Sequence, residues 1–410
     1  MEHAAGSPGG ASERALGGYA GDRGPPGFHD RPAGDLVSRP SRAGIDAPGP
    51  VFDVIDAWLH RHGIAATRLT DPAGRPVGLC GEIVGDRPGP RYLLDATADT
   101  APYGDPAAWH YPPDRASIAD GWLYGRGSAD SKAGIAVFCH VLADLNAGRD
   151  RLAGRVAFLF DADEHTGGFA GLYAYLERFG APAPAGVMIG YPGHDRLVTG
   201  ARGFLRAGIV VHGVAAHSGA SSRTGVNAIA RAAALLERLA GVALPGAEAG
   251  FPLPAKLTPT AIHGGVGWAM VPDRCALHLD LRLTPTFDAA AARRLVADVV
   301  AQLDGDGAAP ATEIAWQPGW PAYRLAPDQV MAATLAATAA EAFGQPVPMG
   351  LAGPSSIANY LATLDIPATA GLGVGYRAIH APDEGVELAT LVPTFLAYRN
   401  ALVRLLAPPV

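Results

Sequence analysis

Three acidic residues and one histidine stand together in residues 161–168, Asp-Ala-Asp-Glu-His-Thr-Gly-Gly. Carboxylates and imidazoles transfer protons in catalysis, and they also bind divalent metals. The same polar sequence is typical of a capped helix start, so the segment alone leaves two interpretations open. The chemical interpretation makes it a candidate for ligand binding or catalysis.

A predicted strand and a predicted helix flank this segment. Residues 155–160 form a short apolar run typical of a buried strand, and residues 169–178 have the apolar spacing of an amphipathic helix. Side chains just past the carboxyl end of a strand lie where open α/β sheets bind ligands. The pattern therefore places the acids and the histidine in a crevice at the edge of a sheet.

Earlier in the chain, a second polar position stands at the start of a predicted helix. Asp130 follows the glycine-rich residues 121–127, and a helical apolar pattern begins at Ser131. An aspartate at this place can serve as an N-cap, and the glycines can simply make the turn. The sequence pattern by itself does not separate this role from a chemical one.

Composition excludes several classes of protein. The chain has 410 residues and a net charge of −7, so it has no overall positive field for nucleic acid or an anionic membrane. A run of about 18 or more apolar residues, which a membrane span needs, is missing from the sequence. The three cysteines lack CxxC spacing and are expected to be buried free thiols. We expect a cytoplasmic protein.

The order of predicted elements indicates an interrupted larger domain. Residues 1–49 are rich in Gly, Pro, Ala, Arg and Asp without any period, and we expect a disordered tail. Residues 50–199 and 317–410 are predicted to form two parts of one α/β domain. Between them, residues 200–316 show a β-α-β-β-α order, which predicts an inserted ferredoxin-like layer.

Five motifs follow one another from residue 51 to the carboxyl terminus. They are Asp99-Thr-Ala-Pro102, Tyr124-Gly-Arg-Gly-Ser-Ala-Asp130-Ser-Lys132, Asp163-Glu164 before Gly167-Gly168, Ala216-His217-Ser218 with Gly225-Val-Asn-Ala-Ile229, and His380-Ala-Pro-Asp-Glu384. Together they resemble the zinc metallopeptidase and deacylase family of succinyl-diaminopimelate desuccinylase, acetylornithine deacetylase, aminoacylase and glutamate carboxypeptidase. The resemblance implies a catalytic α/β domain of the zinc-exopeptidase type, an inserted ferredoxin-like dimerisation domain and a homodimer.

The resemblance also implies roles for individual residues. In that family two zinc ions share a bridging aspartate, which corresponds to Asp130, and a histidine near the carboxyl terminus, which corresponds to His380, is a ligand. A separate glutamate acts as general base and corresponds to Glu164. His217 corresponds to the histidine that reaches the partner subunit's active site and steadies the oxyanion. Asp99, beside the first metal position, joins the predicted catalytic residues.

Three positions depart from the family pattern. The first zinc's histidine and carboxylate correspond to Thr97 and Tyr191, and neither is a normal zinc ligand. At the second site His165 replaces a glutamate, which leaves Asp130, His165 and His380 as metal ligands. Two imidazoles and one carboxylate suit a catalytic zinc with an open fourth position, although iron, cobalt and manganese stay open. The resemblance therefore implies one zinc, unless His165 marks a lost ligand.

Two arginines and one loop are the predicted substrate contacts. The family's carboxylate-binding arginines correspond to Arg202 and Arg282, and a guanidinium suits bidentate carboxylate binding. Gly353 and Ser355 correspond to the loop that lies along the substrate. A purely structural role is also open, in which Arg282 pairs with Asp280.

Three functions follow from these positions. The first is a metal-dependent hydrolase that cleaves an amide bond of a small N-acyl amino acid or dipeptide-like substrate bearing a carboxylate. The second is a metal-free acyl transfer, lyase or isomerase reaction that uses Glu164 and His217. The third is a non-catalytic protein that binds a carboxylate.

Overall fold

The protein is described here by a computed structural model covering residues 31–221, 225–305 and 307–408. The first part of the larger domain contains α1 (Arg31–Val37), α2 (Gly49–Arg61), β1 (Thr67–Thr70), β2 (Pro76–Val84), β3 (Arg87–Thr97), β4 (Ser117–Ala119), β5 (Trp122–Tyr124), α3 (Ala133–Ala147), β6 (Ala153–Asp161), α4 (Ala170–Phe179), β7 (Gly186–Ile189) and β8 (Leu197–Ala201). The inserted domain contains β9 (Gly203–His212), β10 (Ala216–His217), α5 (Ala228–Ala240), β11 (Lys256–Gly264), β12 (Met270–Val271), β13 (Arg274–Leu283), α6 (Ala289–Asp304) and β14 (Glu313–Trp316). The larger domain resumes with β15 (Tyr323–Arg324), α7 (Val330–Phe343), β16 (Met349–Ala352), α8 (Ile357–Ala362), β17 (Ala368–Thr369), β18 (Tyr376–Arg377), β19 (Gly385–Glu387) and α9 (Leu391–Leu405).

The central sheet of the larger domain has six strands in the order β1-β2-β6-β3-β7-β17. Strands β6, β3, β7 and β17 are mutually parallel, whereas β1 and β2 are antiparallel additions at one edge. Strand β6 is buried at almost every residue, as a continuous apolar run in a covered parallel sheet requires. The carboxyl ends of β6, β3 and β7 therefore lie side by side, and together they form the carboxyl-end edge of the sheet.

A second sheet contributes the loops that face this edge. Its four strands run in the order β18-β19-β5-β4, and β5 pairs antiparallel with β19, with Tyr124 opposite Gly385. The chain leaves β5 toward Asp130 and enters β19 from His380. This pairing brings together two segments that lie about 250 residues apart in the sequence.

The inserted domain has the predicted ferredoxin-like fold. Four antiparallel strands run in the order β11-β13-β9-β14, which is the strand order of a β-α-β-β-α-β unit. Strand β13 alternates buried and less buried residues, and its buried set packs with apolar residues of α5 and α6. Helix α5 begins after Asn227, whose side chain accepts hydrogen bonds from Ile229 N and Ala230 N at 2.9 and 3.1 Å.

The prediction of a disordered tail is wrong for residues 31–49, while residues 1–30 lie outside the described residues. Leu36 and Val37 of α1 are 2% and 1% exposed in the main core, and Ser41 Oγ donates a hydrogen bond to Ala98 O at 2.7 Å. The compositional argument failed because a few apolar side chains suffice where the rest of the domain supplies the core. This segment lies against the loop that carries Asp99.

Helix α3 begins at Ala133, two residues later than the pattern predicts. Residues Ser128–Lys132 form a π-helical turn with non-helical torsions at Asp130, and the Asp130–Ser131 peptide bond is cis. The residue before α3 is Lys132, so Asp130 is not its N-cap. Within the described part of the chain, each helix is too short or too polar to cross a membrane.

A candidate metal and catalytic site

The polar residues at the carboxyl-end edge of the central sheet follow three neighbouring strands. Asp99 follows β3, Glu164 and His165 follow β6, and Tyr191 follows β7. Parallel pairing sets Thr97 of β3 beside the last residue of β6, and β3 pairs on its other side with β7. The predicted crevice residues therefore converge because the register of the sheet aligns the three strand ends.

A buried carboxylate fixes the loop of Asp130. Glu384 is fully buried, and its Oε1 accepts hydrogen bonds from Ala129 N and Asp130 N at 3.0 and 3.3 Å. Its other oxygen pairs with the buried guanidinium of Arg126, which also donates to His380 O at 3.3 Å. One ion pair thus ties the Asp130 segment to the His380 segment.

Asp130, His165 and His380 form the group that can hold a metal. His380 Nε2 lies 3.0 Å and His165 Nε2 lies 3.5 Å from Asp130 Oδ2. One ligand atom from each residue lies within 4.8 Å of the other two. The side chain of His165 is only 6% exposed, whereas that of His380 is 53% exposed. The group is therefore anchored on one side and open to solvent on the other.

The unsatisfied polar atoms of this group fit a divalent metal. Among the described residues, both ring nitrogens of His165 and Asp130 Oδ1 are buried without a hydrogen-bond partner. Buried polar atoms are normally paired, so an unpaired set that converges is unusual. Two imidazoles and one carboxylate are a donor set that zinc accepts, with a further position for water.

Thr97 and Tyr191 stand at the first metal position of the family pattern, and their hydroxyls donate hydrogen bonds to carboxylates. Thr97 Oγ1 donates to Asp99 Oδ1, and Tyr191 OH donates to Glu164 Oε1 at 2.8 Å. Sequence reasoning treated Tyr191 only as a missing ligand and overlooked this contact. The signal that could have suggested this contact is a tyrosine at a position where the family pattern has a carboxylate.

Asp99 holds the segment that carries the candidate base Glu164 and the candidate ligand His165. Its Oδ1 accepts from Glu164 N at 3.3 Å, and its Oδ2 accepts from His165 N at 3.1 Å. The same Oδ2 lies 3.5 Å from His165 Nδ1, while the other ring nitrogen faces Asp130. A carboxylate behind a histidine ligand fixes the orientation of the ring, so Asp99 is placed to position His165.

Burial and neighbouring charges tune the titration of the site. Burial, helped by the negative charge of Asp130, raises the pKa of Glu164 to about 7, against the opposing hydrogen bond from Tyr191. Burial alone would lower the pKa of His165, but the carboxylates of Asp130 and Asp99 outweigh it and raise this pKa to about 10. A carboxyl group whose pKa lies near neutral pH can exchange protons in that range.

Two further acids are buried beneath the site. Burial and the charge of Glu164 raise the pKa of Asp95 to about 8, and burial followed by the charge of Asp95 raises the pKa of Asp161 well above its usual range. Both residues are 2% exposed. Sequence reasoning grouped Asp161 with the candidate acids of residues 161–168 but assigned Asp95 no role. An aspartate at the end of an otherwise apolar strand was the available signal for Asp95.

A cavity of about 660 Å³ joins the site to the predicted substrate contacts. Glu164, His165 and His380 line it, together with Arg282 and Ser355. Arg282 Nε lies 2.7 Å from Asp280 Oδ1, so the ion pair considered from the sequence is formed. The cavity therefore holds the candidate base, two candidate ligands and one of the predicted arginines.

Arg202 lies behind the cavity and braces its loop. Its guanidinium donates to Gly353 O and to Pro254 O, both at 3.1 Å, and Ser355 Oγ donates to Arg202 O at 2.6 Å. Arg202 is 9% exposed. The geometry gives it a structural contact with the predicted substrate loop.

His217 lies away from the cavity of its own subunit. It belongs to β10, is exposed, and its Nδ1 accepts a hydrogen bond from Gly219 N at 3.0 Å. The residues that line the cavity do not include it. A single subunit therefore does not bring His217 to Glu164.

Comparison with known proteins places this geometry in a family. A sequence profile of peptidase family M20/M25/M40 matches residues 93–404, well over half of the chain. The chain belongs to this family. This M20 protein is 27% identical over 382 residues to the succinyl-diaminopimelate desuccinylase of Rhodospirillum centenum, covering 91% of this chain and 96% of that protein. The resemblance inferred from the five motifs is confirmed, and the chain is a hydrolase.

Solved structures of M20 peptidases share the fold. The aminopeptidase PepT from Bacillus cereus superposes with a TM-score of 0.74 at 20% identity, covering 92% of this chain and 97% of that chain. The YXEP protein of Bacillus subtilis, a dinuclear metal-binding peptidase of the M20 family, gives 0.68 at 19% identity, covering 92% and 98%. The α/β fold with an inserted ferredoxin-like domain is therefore confirmed, and the family is one of metal-dependent peptidases and deacylases.

Proposed function

We propose that this M20 protein uses one divalent metal, zinc in the first instance, to hydrolyse an amide bond. Its substrate would be a small N-acyl amino acid or dipeptide-like molecule with a carboxylate. The observation that carries the proposal is the convergence of Asp130, His165 and His380 next to Glu164. The engaged hydroxyls of Thr97 and Tyr191 support one metal rather than two.

The residues divide the chemistry among them. Bound by Asp130, His165 and His380, the metal would polarise the substrate carbonyl and lower the pKa of a water molecule. Glu164 takes a proton from the attacking water and passes it to the leaving amine. Tyr191 holds the carboxylate of Glu164 in place during both transfers.

The remaining predicted residues act on the substrate. Arg282 binds the substrate carboxylate from the far side of the cavity, and Ser355 lies along the bound chain. Gly353 and Arg202 keep this loop in position. His217 of a second copy would donate to the oxyanion, because the subunit's own His217 is outside the cavity.

The surface of the inserted domain supports a homodimer. Trp268 is 103% exposed, Val266 is 85% exposed, and Ile262 and Met270 add apolar surface beside them. Strand β11 is an edge strand whose residues are mostly exposed. Exposed apolar groups and an open strand edge are features of an association surface. A second copy that covers them is the partner we propose.

The state of the thiols supports a proposal about the cellular location. Cys80, Cys139 and Cys275 are all free and buried. Chains in reducing compartments keep their cysteines in this state, so we propose a cytoplasmic protein. Its other partners would be small molecules, since the net charge of −7 opposes nucleic acid and anionic membranes.

One observation favours the metal-free alternative. The raised pKa of His165 makes the ring an imidazolium, which lies 3.5 Å from carboxylate oxygens of Asp99, Asp130 and Glu164. This cation could balance the acids without a metal, and Glu164 with His217 would then catalyse an acyl transfer, lyase or isomerase reaction. Membership of a hydrolase family favours the enzyme over the non-catalytic binding protein.

Hydrolysis with and without metal tests the proposal. Zinc-loaded protein is assayed for amine release from N-acetyl and N-succinyl amino acids and dipeptides, and the assay is repeated after exhaustive chelation. Glu164→Gln is the matched variant, because it keeps the shape of the side chain and removes the base. We expect turnover that chelation and the variant each abolish. Turnover that persists after chelation would establish the metal-free alternative instead.

A further inference from the structure

We propose that the cavity beside Glu164 selects substrates whose side chain is aromatic or another large apolar group. This inference rests on the proposed function and names the substrate class of the same site. It is carried by rings and charges in the cavity that the catalytic roles leave unused.

Four aromatic side chains line the cavity, and we call this set the aromatic wall: Phe169, Tyr173, Phe204 and Trp320. The rings of Phe169 and Trp320 lie 4.6 Å apart between centroids, and those of Phe204 and Trp320 lie 5.2 Å apart. The latter pair meets edge to face, at 75°. These separations are those of favourable aromatic contacts, so Phe169, Phe204 and Trp320 form one packed surface.

Part of this apolar surface is uncovered. Tyr173 is 41% exposed, and both Phe204 and Trp320 are half-buried, whereas Phe169 is buried. All four residues line the same cavity as Glu164. Covering apolar ring surface with an apolar ligand group is favourable, because both surfaces leave water.

The aromatic wall is fixed before any ligand arrives. Trp320 and Phe204 exchange two backbone hydrogen bonds, at 3.0 and 3.1 Å, where the chain enters and leaves the inserted domain. Tyr360 packs behind the wall, with ring centroids 5.0 Å from Tyr173 and 5.8 Å from Trp320. Tyr173 stands on α4, which directly follows the catalytic segment. A preformed surface binds without the entropic cost of ordering it.

One corner of the cavity, next to Phe204 of the aromatic wall, carries excess positive charge, and the Arg206 guanidinium lies 5.0 Å from the centroid of the Phe204 ring. Arg282 Nε lies 2.7 Å from Asp280 Oδ1, and Arg206 Nε lies 3.5 Å from Asp280 Oδ2. Two guanidinium groups thus share one carboxylate, which leaves one positive charge for the substrate. A substrate that fits has a carboxylate at this corner, an apolar side chain on the wall and its amide next to Glu164.

The same arrangement disfavours polar side chains. A second carboxylate or an amide placed against Phe169 and Phe204 would lose water without gaining a hydrogen bond from those rings. The one excess positive charge of the cavity is already used by the first carboxylate. A methyl group would leave most of the wall uncovered. The cavity therefore ranks N-acyl phenylalanine above N-acyl alanine, and both above N-acyl glutamate.

The test compares N-acetyl-L-phenylalanine, N-acetyl-L-alanine and N-acetyl-L-glutamate as substrates of the zinc-loaded protein. We expect kcat/KM for the phenylalanine compound to exceed that for the alanine compound by about tenfold or more. Tyr173→Ala should lower this ratio severalfold, while Tyr173→Phe should retain it. Ile118→Ala, which removes an apolar side chain that is 53% exposed outside the cavity, is the matched control and should leave the ratio unchanged.

Binding to the metal-free protein separates this inference from the proposed function. Calorimetry with the same three compounds should give the same order of affinity, and Tyr173→Ala should reduce the difference. Ordered binding without turnover of any compound would contradict the proposed hydrolysis and leave the ligand class standing. Equal affinities and equal kcat/KM values for the three compounds would overturn the inference.

Discussion

Tyr191 OH donates a hydrogen bond of 2.8 Å to Glu164 Oε1. The resemblance to the family implies a metal-binding carboxylate at the position of Tyr191, so a buried hydroxyl stands where a ligand would be. Its effect passes to the base, because a donor to a carboxylate favours the ionised form. The substitution therefore changes what holds Glu164 rather than removing Glu164 from the chemistry.

Replacing this tyrosine should move the pH profile. Tyr191→Phe removes a hydrogen bond that lowers the pKa of Glu164, so that pKa should rise above its value of about 7. Because the ionised carboxylate is the active form, activity is lost on the acid side, and the acid limb of kcat/KM should move up by about one pH unit. Tyr398→Phe, which removes a buried hydroxyl bonded to Leu372 O, is the control. An unchanged acid limb in Tyr191→Phe would contradict the assignment of Glu164 as the base.

The folded segment after residue 30 makes a prediction about stability. Leu36 is 2% exposed in the main core, so Leu36→Ala should lower the free energy of unfolding by about 2 to 5 kcal/mol. Ile45 of the same segment is 58% exposed, and Ile45→Ala should change it by about 0.5 kcal/mol or less. Urea titration measures both. Equal, small effects would show that residues 31–49 contribute little to the fold.

The position of His217 predicts complementation between subunits. His217→Ala and Glu164→Ala should each be inactive alone, because one lacks the oxyanion donor and the other lacks the base. After the two variants are unfolded together and refolded, random pairing should restore about a quarter of wild-type activity, since half of the dimers are mixed and each has one complete site. If the mixture stays inactive while size-exclusion chromatography finds dimers, His217 does not act across the interface.

The sequence predicts the site best where local pattern and strand register agree. The apolar run before Asp161 and the helix pattern after it were enough to place Glu164 and His165 at a sheet edge, and β6 and α4 flank them as expected. Parallel strands align their carboxyl ends, so residues after β3 and β7 had to meet them there. The elements of the inserted domain could also be predicted, because the alternation of apolar and polar residues and the spacing of turns define them locally.

Other features depend on contacts that no local pattern contains. The hydrogen bond from Tyr191 to Glu164 joins two strand ends through side chains, and the aromatic wall collects rings from residues 169–173, 204 and 320. Residues 31–49 were misjudged because their average composition hides three core side chains, Ala33, Leu36 and Val37. The turn at Ser128–Lys132 was also not predicted. Its backbone donates hydrogen bonds to Glu384, which is far away in the sequence.

The metal content per subunit tests the central claim most directly. The wild-type protein, loaded with zinc and dialysed, is measured beside His165→Ala and beside His194→Ala, whose histidine lies outside the ligand group. The one-metal site predicts about one zinc in the wild type and in His194→Ala, and almost none in His165→Ala. Two ions in the wild type, or one ion that survives in His165→Ala, would contradict it.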